Sequence, residues 1–444
     1  SGEHNVLLGY FAGGKITDGA KNVAIGNGSG KSTTTGNMNI FLGNVAGYCN
    51  ISGSGNIYQG QYSGYCFCSA SHNVAVGSAA LLGSSTPANN TGGYNVAFGY
   101  QAGWSVSSGT NNIFIGKQAG CKNSTGADNI ALGQKALGDA VVTGNYNFAA
   151  GYFAGEAITS GEHNVLLGYY AGYKITDATE NIIIGKSAGS QVTSASHNVY
   201  IGDSAGQYRQ GGGRNIAIGK DTLKGSSTPA DNTGYYNIAF GLNAGACVTS
   251  GGYNIFFGRN AGCLTTDGAG NIAMGCNALS RQLSGSSNIA LGPQAGYNIG
   301  AGLCNVFIGK DAGESSGTAT DNDASYTVAI GQGAGKGLTD GDDNVMIGRM
   351  AGSDVTTGGN NVYLGNNAGK GNTTTSNAVM IGQATGQNIS GGANIFIGCA
   401  AGQGTGTAAD NDAAHNVAIG FDAGKTLTDG DRNIFLGRDA GSSV

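Results

Sequence analysis

Charge is scarce in this chain. Lys and Arg number 21 and Asp and Glu 26, together 11% of 444 residues, less than half of the ~25% found in an ordinary soluble domain. That is too little for a typical enzyme surface. The net charge of -5 gives no basic footprint for nucleic acid or an acidic membrane, so no polyanion partner is expected. Proline, at 3 residues, is too rare for collagen. No run approaches the ~18 apolar residues of a membrane span, and the opening SGEHNV has neither Met nor the apolar core of a signal peptide. No G-x-S-x-G elbow, H-E-x-x-H or P-loop occurs. The chain is therefore read as no enzyme, with no cofactor and no metal.

Glycine, by contrast, is abundant, at 85 residues. The chain is also 40% apolar, more than a disordered linker carries, so glycine is expected to serve turns in a folded chain. Self-similarity explains the composition. The run Asn5-Val-Leu-Leu-Gly9 recurs as Asn22 to Gly26, Asn39 to Gly43, Asn56 to Gly60, Asn73 to Gly77, and on to Asn433 to Gly437, 25 copies in all. The closing glycines lie 17 residues apart, with one step of 18, one of 16 and four of 22 ending at Gly99, Gly241, Gly331 and Gly420. No composition shift marks a second domain. Residues 1–444 are read as one continuous array, a segment of a longer fibre. Ser1 and Val444 could be joined through one added residue without losing the 17-residue register.

The first position of the run is Asn in 23 copies, the second Val or Ile in 24, and the fourth large and apolar except at Gln59 and Ala150. Three residues after the glycine comes Ala, Ser or Thr, followed by Gly in 21 copies and Leu in four (Leu81, Leu137, Leu223, Leu279). A short Val/Ile/Phe-rich run between glycines signals a strand, and 17 residues are too few for a βα unit. One coil cannot bury its apolar groups alone. Identical coils stacked at about 4.8 Å can, as an all-β parallel β-solenoid of about 25 coils, some 120 Å long. Stacked asparagines Asn5, Asn22, Asn39, Asn56 and Asn73 are expected to form a structural amide ladder; a carbohydrate-binding row would need those amides exposed.

The second and fourth positions share one strand face and are assigned to the interior. The third then points outward, yet it is Ala, Phe, Tyr, Leu, Ile or Met in every copy. An apolar stripe along a rod exceeds what a monomer exposes. Leu7, Phe41, Tyr58, Phe114, Tyr200, Phe256, Phe307, Tyr363, Phe396 and Phe435 are therefore expected to form a self-association face, in a homo-oligomer for which a trimer is favoured, or within an end-to-end filament.

The N-[VI]-[AF]-[IL]-G-x-x-A-G coil, as in Asn112-Ile-Phe-Ile-Gly116-Lys-Gln-Ala-Gly120, resembles the repeats of tail-fibre-like proteins of phages and bacteria. More distantly it is similar to the β-roll heads of trimeric autotransporter adhesins, whose coils are shorter. The resemblance covers the whole chain and implies an extracellular, cell-surface or virion-surface fibre. It leaves two readings: a structural shaft, or an adhesin or receptor-binding fibre recognising cell-surface glycans through the long coils.

Few other residues compete for a role. His4, His72, His163, His197 and His415 all precede a repeat position, which elsewhere holds Tyr94, Arg214, Glu180 or Lys21, so that column is a permissive turn. The long coils carry SSTPA twice and the acidic runs Asp321-Asn-Asp323 and Asp410-Asn-Asp412, read as solvated turns rather than calcium sites. Nine cysteines leave at least one unpaired within the chain. Cys49 and Cys66 share an offset in adjacent coils, close enough for a disulfide in an oxidising setting. A flat threonine face of the ice-binding kind is disfavoured, since clusters such as Thr33 to Thr35 do not recur coil after coil.

Overall fold

A computed structural model describes residues 2–315, 317–318 and 322–442. Ser1, Val444 and Asp321, on which parts of the sequence reading rest, lie outside them. The chain is a parallel β-solenoid: 25 three-residue strands, one per coil, β1 (Val6–Leu8) to β25 (Ile434–Leu436), among turns and a few single-turn 3-10 helices. The coils group into two compact units, Ser1–Asn215 and Ile216–Val444. In the first, β1 to β12 (Val199–Ile201) pair in chain order, identical positions facing each other, as Val6 faces Val23 and Leu7 faces Ala24. In the second, β13 (Ile216–Ile218) to β25 pair in the same way. The 22-residue steps leave this register intact: Val74 faces Val96 across the first of them.

Each strand is shorter than the five-residue run because its flanks take other roles. The Asn22 N–H donates to the Asn5 side-chain oxygen (2.9 Å) rather than to a backbone carbonyl. At the other end the closing glycine turns the chain out of the strand with φ near +130°, and it touches its copy in the next coil: a Cβ on Gly116 (φ +133°) would lie 2.6 Å from the Gly133 carbonyl oxygen. No L-residue side chain fits there.

Two further columns adopt left-handed φ without glycine. One is the residue before the asparagine, His4 (60°), Lys21 (61°) and Met38 (55°); the other is two past the closing glycine, Phe11 (52°), Val45 (52°) and Tyr62 (59°). Such conformations cost about 1 kcal/mol each. From the second coil on they persist because the N–H is bonded to the coil before: Lys21 N–H to the Glu3 carbonyl (2.9 Å), Met38 to Ala20 (2.9 Å), Val45 to Asn27 (2.8 Å). The permissive histidine column is thus a turn fixed by the backbone, which accepts many side chains because they point to solvent.

The core differs from expectation in its phase. The middle strand residue points inward: Phe41, Tyr58, Phe114, Tyr200, Phe256, Phe307, Tyr363 and Phe396 are all buried, as is nearly every alanine of that column. The flanking second and fourth positions are half-buried or exposed, Ile115 44% against 0% for Phe114. A second inward column runs through Phe67, Val106, Ile158, Val192, Ile299 and Val355, and the small residue after the glycine completes the interior. Arg209 occupies the second column beside Tyr200, and both are fully buried. Burial pushes the Tyr200 hydroxyl up to about 12, and the Arg209 charge partly opposes that shift.

The four leucine corners are explained by this packing. Adjacent alanines in the middle-strand column occur four times, at Ala75 and Ala97, Ala131 and Ala149, Ala217 and Ala239, and Ala273 and Ala290. In each case the first coil of the pair carries Leu81, Leu137, Leu223 or Leu279 at its corner. All four leucines are fully buried. Their reach is visible at the next corner, where a Cβ on Gly103 would lie 2.8 Å from Leu81 Cδ2 and 2.8 Å from the Phe114 ring. Leucine supplies the volume that two alanines leave empty.

Candidate functional site

The asparagine column is a hydrogen-bonded ladder within each unit, interrupted at Ala378, whose N–H still bonds Asn361 Oδ1 (3.0 Å) but which has no side-chain amide to offer the next coil. Asn22 Nδ2 donates to Asn5 Oδ1 (3.1 Å) and to the Gly36 carbonyl (2.9 Å), and the pattern repeats at Asn39 and Asn56. At Asn73 the chain meets its first long coil, so Nδ2 reaches the Gly92 carbonyl instead (3.0 Å). Asn22, Asn39, Asn56 and Asn73 are buried. Their amides are therefore not available as a carbohydrate-binding row. Where Thr327 replaces Asn, its backbone N–H still bonds Asn305 Oδ1 (2.9 Å) and its hydroxyl takes over the bond to the next coil.

The expected self-association face requires correction. Phe41, Tyr58, Phe114, Tyr200, Phe256, Phe307, Tyr363 and Phe396 are core residues with no surface to offer. Leu7 and Phe435 take the same inward position: a Cβ on Gly13 would lie 2.6 Å from Leu7 Cδ2. Leu7 is exposed and Phe435 half-buried in the first and last of the described coils. When all three strand residues are apolar, alternation alone does not say which phase faces in.

An apolar stripe nevertheless exists, one residue to either side. In the first unit the outward columns run Val6, Val23, Ile40, Ile57 and onward, and Leu8, Ile25, Leu42, Gln59, Val76 and onward. Ile25, Ile57, Phe98, Ile115 and Ile182 are among their exposed members. The second unit repeats this, with Met274, Ile347, Ile395 and Ile419 exposed and the rings of Phe240 and Phe257 stacked at 4.7 Å. Two columns at ~4.8 Å per coil and ~7 Å across present roughly 400 Å² over twelve coils, the size of the largest patch on an ordinary monomer.

The long coils are ordered by a device that the sequence reading missed. Asn90, Asn232, Asn322 and Asn411 fold back into the second inward column and are fully buried. Asn90 Oδ1 accepts from the Ser84 N–H (3.0 Å) and hydroxyl (2.8 Å), while its Nδ2 donates to the Ser84 (3.0 Å) and Cys66 (3.1 Å) carbonyls. Asn411 Nδ2 likewise reaches the Asn388 carbonyl (2.9 Å). Ser85, Thr86, Ala88 and Asn89 remain exposed at the tip of the first loop.

Threonine also recurs more regularly than expected. Thr17, Thr34, Thr159, Thr176, Thr193, Thr249, Thr266, Thr339 and Thr356 all sit eight past a closing glycine, and each hydroxyl donates to the carbonyl of the next coil, 3.1 to 3.4 Å away. Lined up from the glycine, this column is readable in the sequence. Its hydroxyls are committed to the fold rather than to an external lattice.

On the outer face of the first unit, Tyr152, Phe153, Tyr169, Tyr170 and Tyr173 form a continuous ring cluster. Beside it Lys135 Nζ lies 3.0 Å from Asp139 and 3.6 Å from Glu156. Burial, reinforced by a hydrogen bond with Asp139, pushes the Glu156 carboxyl up to about 7. Among the five histidines, His72 stacks on Tyr94 (4.8 Å) and His163 on Tyr146 (4.9 Å), and His197 lies 3.2 Å from Glu180. Among the described residues no group of three or more His, Cys, Asp or Glu could hold a metal ion, and no helix is long and apolar enough to cross a membrane. Cys49 and Cys66, the pair singled out for a disulfide, lie side by side as free thiols. No protein-family model matches the chain, and no curated protein is significantly similar to it.

Proposed function

We propose that this chain is a structural subunit, the shaft of an extracellular fibre of the tail-fibre or adhesin-head kind, which associates with copies of itself through an apolar strand face. The face is the pair of outward columns flanking each buried middle residue. One observation carries the reading: the second position is Val or Ile in 24 of 25 coils and the fourth is large and apolar in 23, although neither is needed to fill the interior. A Val/Ile column beside a column of large apolar side chains at a constant rise makes a ridge whose natural complement is the same ridge on another copy, and closed association of three copies would bury it.

Sedimentation of the purified chain tests this directly. A trimer that falls to monomer in the Ile115→Lys/Ile184→Lys double variant, with unchanged circular dichroism, is the expected result. A native chain that stays monomeric at all concentrations would sink the reading.

A second reading is supported by the asparagine-clamped loops, since rigid exposed tips suit recognition. In that case the fibre would bind cell-surface glycans through the tips at Ser84–Asn89 and Ser226–Asp231. Glycan-array binding lost on replacing Thr86 to Asn89 with glycine would favour it; no binding by the native fibre would dismiss it.

A further inference from the structure

Cys49 and Cys66 both lie six residues past a closing glycine, Gly43 and Gly60. Their register is fixed on every side. Cys49 N–H donates to the Tyr65 carbonyl (3.0 Å) and Cys66 N–H to the Leu82 carbonyl (2.9 Å). The residues just before them, Tyr48 and Tyr65, stack at 5.2 Å with rings 17° apart. One coil further on, the same column holds Gly83, whose Cβ position lies 3.1 Å from Cys66 Cβ; one coil back it holds Ser32. The two thiols are therefore neighbours in one column, about one coil rise apart at Cα and inside the 4.4 to 6.8 Å range of a disulfide, with Cys68 as the nearby third thiol, its Sγ 3.9 Å from the Cys66 carbonyl. They are close enough for the Cys49 S–H to donate to the Cys66 sulfur, which favours the thiolate on Cys66. Cys66 is buried and Cys49 half-buried, so a small oxidant reaches them more readily than a protein thiol does.

We infer that Cys49 and Cys66 form a redox staple, closed by a peroxide-class oxidant and locking the third coil to the fourth. The Cys66 thiolate attacks a peroxide oxygen, the O–O bond breaks and hydroxide leaves, giving a sulfenic acid. The Cys49 sulfur then attacks the Cys66 sulfur; the S–S bond forms as the S–O bond breaks, and water departs with the Cys49 proton. Two thiols and one hydrogen peroxide give one disulfide and two waters. The staple secures more than one rung, because the Cys66 carbonyl is the acceptor that anchors Asn90 and hence the first long loop.

The chain contains its own control. Cys247 and Cys263 also sit in adjacent coils, with Cys247 N–H donating to the Cys263 carbonyl (3.0 Å), but they are offset by one position, six and five past their glycines. Burial holds both thiols above their usual range. Treating the fully reduced chain with one equivalent of hydrogen peroxide and mapping the products under non-reducing conditions tests the assignment. The expected product is the Cys49–Cys66 link, formed about 10-fold or more ahead of any other pair. In Cys49→Ser the sulfenic acid on Cys66 should persist and be trapped by dimedone, whereas Cys68→Ser should leave the yield of the staple unchanged. A Cys66–Cys68 or Cys247–Cys263 link appearing first, or sulfinic acid without any link, would overturn the proposal.

Discussion

The middle residue of each strand and its two neighbours are alike in chemistry and opposite in environment. The middle column varies from Ala to Tyr and is sealed. The second position is Val or Ile in all but one coil, the fourth ranges over Leu, Ile, Val, Phe and Met apart from Gln59 and Ala150, and both columns stay half in water. A core must fill a fixed volume, so a small residue in one coil has to be matched by a large one nearby. A ridge facing outward has no such constraint on volume, only on shape. Size variation matched by compensation at a neighbouring corner therefore marks the inside of this solenoid, and the outer fourth column varies from Ala150 to Phe257 with no leucine corner tied to it.

Paired truncations break the comparison most directly. Phe256→Ala empties a sealed site between Ala239 and Ala273 and is expected to cost ~3–5 kcal/mol. Ile255→Ala, one residue away on the outer face, should cost about 1 kcal/mol. Stacked coils need not unfold as one unit, so urea melts should be read together with hydrogen exchange in the neighbouring coils. Equal effects at the two positions would show that the faces are not distinct. Next comes the leucine corner: Leu137→Gly should cost roughly 3 kcal/mol by opening a cavity over Ala131 and Ala149. Adding Ala149→Leu should recover much of that loss, and a double-mutant cycle with no coupling would refute the compensation.

That compensation also shows how much could be read in advance. The repeat, the parallel solenoid and the asparagine ladder follow from spacing, because stacking identical coils brings identical residues together. The phase of the strand did not follow from alternation, since Val23, Ala24 and Ile25 are all apolar. It was available in the coincidence of Leu81, Leu137, Leu223 and Leu279 with paired alanines. The clamps at Asn90, Asn232, Asn322 and Asn411 had a local signal too, each preceded by Asn or Asp and followed by Thr or Asp. The left-handed turns at Lys21, Met38 or Val45 had none, because hydrogen bonds to the preceding coil, rather than residue type, hold them.

Polar groups sharpen the comparison at smaller magnitude. Asn112→Ala strips the acceptor from the Asn129 N–H and the donor from the Gly126 carbonyl, and should cost about 2 kcal/mol with local loss of exchange protection. Glu156 tests whether the outside is dry beneath its aromatic cluster. Its pKa stands near 7 when folded, against an ordinary 4.5, because burial and Asp139 favour the protonated form while Lys135 and Tyr173 oppose that shift. The folded state thus holds a proton that the unfolded chain has released between those values. This contribution is complete below pH 4.5, declines as pH rises and is gone above 7. Thermal melts from pH 4.5 to 7.5 should show that decline, and Glu156→Gln should flatten it; a Glu156→Gln profile identical to the native one would place the titration elsewhere.

The smallest stability effect is expected where the outer ridge is interrupted. Gln59 is exposed and sits in register between Leu42 and Val76, the one polar side chain in its column. Gln59→Ile fills no cavity and removes no buried hydrogen bond, so the stability of the isolated chain should stay within about 0.5 kcal/mol. If the ridge is covered by another copy, the same substitution extends the contact by one apolar side chain and should tighten association several-fold, since burying such a group contributes about 1.5–3 kcal/mol at most. Sedimentation equilibrium separates the two quantities. Tighter association at unchanged stability assigns the outer columns to assembly, whereas a stability gain without any change in association would assign them to the fold alone.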